Sequence, residues 1–203
     1  MKYAYTLLFL CLTAALGFSQ AKTELNTELA RKQLNIDELP NLKQDEPIIY
    51  YLSDSTKIEL ADYGREYQQR IIPYKSKFET VKQFNKKNRF ILYQGNYFGG
   101  MQIGIHLFYN LHGEEIRRVN EDSLYPLSIY DIAKKMEKEY GKNIMNVDEN
   151  MSINRYCHNY PYYQVTWYLG DGPKSTMRII GIDGKTGKTK DDIEKVYECG
   201  STK

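Results

Sequence analysis

The chain has 203 residues, with 28 Lys and Arg against 26 Asp and Glu and a formal net charge of +2. A balance that close leaves no basic stripe to follow a phosphate backbone, so nucleic acid is not an expected partner. Three His without ligand spacing and the absence of any cofactor motif give no expected metal and no expected cofactor.

The first residues set a compartment. Met1-Lys2 carries one positive charge, Ala4 to Phe18 is an almost unbroken apolar run, and Gly17-Phe18-Ser19 places small residues before a cut after Ser19. That order predicts a cleaved signal peptide over 1–19, because the apolar run is shorter than the roughly 20 residues a spanning helix needs. Cys11 lies within the apolar run behind Leu8-Phe9-Leu10, which does not suit lipidation. The expected location is therefore periplasmic or secreted, without membrane insertion after signal removal. Most of the 19 Tyr lie beyond the signal and suit half-buried sheet faces or contact surfaces, since Tyr packs a ring while keeping its tip wet. Cys157 and Cys199, the two Cys beyond the signal, are read first as a disulfide in an oxidising compartment, worth roughly 4 kcal/mol by loop entropy. Free thiols or a metal site using Cys157-His158 are the alternatives.

In chain order, Leu25, Leu29 and Ile36 predict an exposed helix before Pro40, the start of an N-terminal helix and connector over 20–72. Ile48 to Leu52 is a short β-rich run, and Lys57 to Gly64 is ambiguous between strand and loop. From Pro73, the stripe Tyr74, Phe78, Val81 and Phe84 predicts a helix ending at Asn85 to Asn88. Arg89 to Gln94 then predicts a strand, Gly95 to Gly100 a turn, and Gln102 to Leu111 a second strand, with Glu114 to Val119 pairing back as a hairpin.

The sharpest local signal is Leu127 to Ile132. Ser128 as N-cap with Asp131 three residues on makes a capping box, Leu127 and Ile132 form a hydrophobic staple, and Gly141 stands where a left-handed residue ends a helix. Asn143 to Asp148 and a polar loop through Asn159 follow. Tyr162 to Leu169 and Met177 to Asp183 predict strands, turned by Gly170 to Pro173 and by Gly184 to Gly187. The expected fold class is therefore α+β, with helices packed on one face of an antiparallel sheet. Units 73–122 and 123–203 each repeat helix-plus-strands, as a tandem duplication or as one larger sheet with two helices on a single face.

Motifs for catalysis fail on their particulars. Gly184-Lys185-Thr186 lacks the upstream Gly of a phosphate-binding loop, there is no Gly-x-Ser-x-Gly elbow, and the paired carboxylates sit in charged, turn-like surroundings. The chain is accordingly read as not an enzyme. Tyr156 to Tyr163 holds four Tyr in eight residues, which suits either a hot-spot surface or a loop folded over a sheet. Tyr156, His158, Tyr160 and Tyr162 are the leading candidate contact surface, and Tyr97 with Phe98 a second.

Residues Ser128 to Ala133, Tyr162 to Trp167 and Ile182 to Lys188 together resemble the PepSY-like pattern of a helix with a buried Ala, a Tyr-x-Val strand and an Asp-x-x-Thr-Gly-Lys turn. That resemblance, which extends to proteins like the β-lactamase inhibitors, implies an exported, non-catalytic fold that restrains peptidases or binds other proteins. Tyr140-Gly141, Tyr160-Pro161, Trp167 and the Ile182-Asp183 turn are also similar to NTF2-like toxin-immunity proteins, which implies one cognate toxin as partner. The leading expectation is an exported binding or inhibitory module that contacts another extracytoplasmic protein. A toxin-immunity type is the first alternative, and an extracytoplasmic small-ligand binder or hydrolase the second.

Overall fold

The computed structural model describes residues 43, 46–157, 159–169 and 174–198. The signal peptide over 1–19, the helix expected near Leu25, His158, the Gly170 to Pro173 turn and Cys199 lie outside the described residues.

The described chain is mostly β. Seven strands form one antiparallel sheet in sequential order: β1 Ile48–Tyr51, β2 Lys57–Asp62, β3 Glu66–Ile72, β4 Phe78–Asn85, β5 Ile91–Phe98, β6 Met101–Tyr109 and β7 Glu115–Asn120. Helix α1, Ile129–Tyr140, follows. A second antiparallel sheet holds β8 Met151–Cys157, β9 Pro161–Leu169, β10 Lys174–Asp183 and β11 Thr189–Glu198, in the order β11-β10-β9-β8. No helix among the described residues is long and apolar enough to cross a membrane.

This corrects the α+β expectation. The segment predicted as a helix from Pro73 is strand β4, paired with β3 on one side and β5 on the other. Helix-plus-strands is thus not repeated, and the first unit is a meander of strands alone. Residues 151–157, expected within a polar loop, are β8, and β11 follows the last expected turn, where the sequence predicts no strand. The Gly95 to Gly100 turn shrinks to Gly99-Gly100, both at positive φ, with Gly95 inside β5.

The capped helix stands as expected. Asp131 N donates to Ser128 Oγ, Ser128 N donates to Asp131 Oδ2 at 2.9 Å, and Gly141 ends α1 at φ 65°. Its apolar stripe, Ile129, Ile132 and Met136, is fully or almost fully buried. The stripe faces Ile153, Tyr163, Val165, Trp167, Ile180 and Ile182 of the four-stranded sheet, while Phe98 and Met101 of the seven-stranded sheet close the same core. Burying such side chains contributes roughly 1.5 to 3 kcal/mol each, which is why the helix and the two sheets hold together as one body. A smaller cluster of Leu60, Phe84, Ile91 and Tyr109 fills the seven-stranded sheet away from the helix.

Gly104, at φ 66°, sits in an irregular stretch of β6 where the register against β5 shifts between Gln94 and Asn96. The extra residues in β6 leave Ile105 exposed and His106 buried.

Candidate functional site

Alternation on β9 buries Tyr163, Val165 and Trp167 against the helix and turns Tyr162 and Tyr168 outward. Tyr156 on β8 lies directly opposite Tyr162 in the ladder, so both rings rise from the outer face of the four-stranded sheet. They stack at a centroid distance of 5.2 Å with planes 21° apart. Tyr160, in the turn between the strands, tilts against Tyr162 at 5.9 Å, and Lys190 Nζ lies 5.7 Å above the Tyr160 ring. Tyr156 is 42% exposed and Tyr160 45%. None of the three hydroxyls has a hydrogen-bond partner among the described residues. With two ring faces turned to each other, the cluster offers edges and hydroxyls outward, not a flat stacking platform.

Tyr156, Tyr160 and Tyr162 are therefore brought together, on a hairpin instead of a loop. Cys157 is exposed at the end of β8, paired opposite Pro161. Tyr97 and Phe98, expected to share a second surface, are separated by strand alternation. Phe98 is fully buried and meets Phe78 edge-on at 4.8 Å, so it is a core residue.

Tyr97 belongs to a partly buried hydrogen-bonded chain that the sequence pattern concealed. His106 is 1% exposed, with Nε2 3.0 Å from Asn96 O and Nδ1 2.8 Å from Tyr93 Oη. A carbonyl only accepts, so Nε2 donates to Asn96 O, while Nδ1 shares a hydrogen bond with the Tyr93 hydroxyl. Tyr93 Oη in turn lies 2.7 Å from Tyr97 Oη, and burial pushes the Tyr93 phenol well above its ordinary range. Gly95 is required beneath this chain, because a Cβ there would stand 2.1 Å from Tyr93 Oη. His106 sits among aromatic and apolar neighbours in the sequence, and only the irregular stretch at Gly104 brings it inward.

Arg155 is the other residue sequence reasoning missed. It occupies an inward position on β8, and its side chain is 8% exposed. Its guanidinium lies 4.5 Å from the Tyr125 ring centroid and 5.1 Å from that of Tyr163, a doubly aromatic setting for a cation. Arg155 Nη1 donates to Asp122 Oδ1 at 2.5 Å and Nη2 to Tyr163 Oη at 2.9 Å, while Tyr163 donates to Leu127 O at 2.6 Å. The network ties β8, β9 and the lead-in to α1 together. Among the described residues no group of three His, Cys, Asp or Glu side chains is placed to hold a metal ion.

Comparison with known proteins finds no family model, no curated protein and no solved structure that matches the chain.

Proposed function

We propose that this chain is an exported, non-catalytic binding module that acts by contact with another extracytoplasmic protein. The observation that supports it best is the Tyr156, Tyr160 and Tyr162 cluster on the outer face of the four-stranded sheet, with Tyr156 and Tyr160 exposed, Tyr162 half-buried and no hydroxyl partner among the described residues. Large rigid rings with polar tips bring contact area at low conformational cost, and Tyr is enriched among residues that dominate protein interfaces. Tyr168, 51% exposed, and Ile193, 44% exposed, carry apolar surface further across the same face.

The test is affinity capture with tagged residues 20–203 at native expression level, run beside the Tyr160→Ala/Tyr162→Ala variant. One protein is expected near stoichiometry on the parent chain. The variant should lose about 2 kcal/mol of binding, roughly thirtyfold in affinity, with a melting temperature nearly unchanged. Equal recovery on both chains, or a large fall in melting temperature, would remove these rings from the interface. The identity of the captured protein separates a peptidase-restraining role from toxin immunity.

A further inference from the structure

A cleft of about 340 Å³ opens between the seven-stranded sheet and the N-terminal turn of α1, on the side of β8 opposite Tyr156. Its wall is apolar, from Ile71, Phe78 and Ile103 on the sheet to Ile129 and Tyr130 on the helix, and Tyr130 stacks on Phe78 at 5.8 Å. That volume falls at the lower end of small-molecule sites, which are mostly apolar with a few placed polar groups.

The polar groups here are specific in what they leave open. Thr80 Oγ1 donates to Asn96 Oδ1 at 2.9 Å, which commits the amide oxygen. Asn96 Nδ2 has no acceptor among the described residues, and Gly104 leaves space beside it, since even an added Cβ would stand 3.8 Å away. The charged groups of the cleft are already matched. Asp122 accepts from Arg155 at one oxygen and from Gly104 N, at 3.0 Å, at the other. Arg155 Nε is buried and has no hydrogen-bond partner among the described residues. A carboxylate entering this cleft would lose its hydration against an apolar wall and find no uncommitted cation. A neutral carbonyl would find a free amide donor at far smaller desolvation cost.

We propose that this cleft binds a small neutral molecule with an apolar body and one carbonyl-type acceptor, which accepts a hydrogen bond from Asn96 Nδ2 while the body lies along Ile71, Phe78 and Ile103. Selection against the corresponding carboxylate comes from the closed Asp122–Arg155 pair.

The probes are 2-octanone and octanoate, titrated separately at pH 7 into the ¹⁵N-labelled chain and followed by NMR. Saturable shifts are expected at the Asn96 side-chain amide and at the backbone amides of Ile103 and Ile129, with 2-octanone binding at least tenfold more tightly than octanoate. Asn96→Leu should weaken 2-octanone about tenfold with spectral dispersion retained, and Ile71→Trp, which fills the cleft, should abolish the shifts. Octanoate binding as tightly as the ketone would overturn the proposal. So would an absence of saturable shifts with 2-octanone on the parent chain, or shifts confined to the Tyr156 face. The parent-chain titration decides the matter even if either variant misfolds.

Discussion

Tyr163 satisfies two buried groups with one hydroxyl. It donates to Leu127 O, just ahead of the helix cap, and accepts from Arg155, while burial pushes the phenol above its ordinary range. Replacing it with Phe keeps the ring but leaves a carbonyl and a charged donor short of a partner in a fully buried place. Tyr163→Phe should therefore cost about 1 to 3 kcal/mol, read as a lowered urea midpoint at unchanged slope. An unshifted midpoint would mean that water replaces the hydroxyl. Parts of the candidate surface are legible at this scale. Tyr156, Tyr160 and Tyr162 declare themselves as clustered aromatics, whereas Arg155 does not, because a cation at an inward strand position looks like a surface residue until Tyr125 and Tyr163 are placed on either side of it.

Elements whose signals are local are the ones the sequence discloses. Helix α1 carries its own cap, stripe and stop within Leu127 to Gly141, so no distant contact is needed to recognise it. Removing the cap tests that autonomy: Ser128→Ala should destabilise the protein by about 1 kcal/mol, checked by chemical denaturation, and a neutral result would show that packing alone sets the helix start. Strand β4 shows the opposite case. Phe78 and Phe84 lie on one face of the strand and Val81 on the other, while Tyr74 is 65% exposed in the preceding turn. Their spacing of three and four imitates a helical stripe, and pairing with β3 and β5 overrides it. Strand β8 hides because Arg155 interrupts the inward series of Met151 and Ile153. Strand β11, at a sheet edge, is charged along both faces and shows no alternation to find.

Across the whole molecule, charge pairs set the response to acid. Asp62 is buried and held below the ordinary carboxylate range by the Lys86 hydrogen bond at 2.6 Å, and Glu59 is lowered by Lys57 and Asp192 by Arg178. A carboxyl depressed in the folded state stabilises fully above its unfolded value, about pH 4, and loses that contribution as pH falls through the folded value. The urea midpoint should hold from pH 7 to about pH 5 and fall below about pH 4, with a smaller fall in Asp62→Asn. An equal fall in that variant would place the acid sensitivity elsewhere. Cys157 is exposed at the end of β8. Iodoacetamide without reductant should therefore label it, and a Cys157 peptide labelled only after reduction would show the thiol engaged in a disulfide. In both sheets every strand is bonded to the strand before or after it in the chain, without a crossover. Each hairpin can close as soon as its second strand has been synthesised, with only a short loop to fix. The seven-stranded sheet can thus be assembled progressively from its N-terminal end, and the late arrivals, α1 and the four-stranded sheet, then find the exposed side chains of Phe98 and Met101 already in place to receive them.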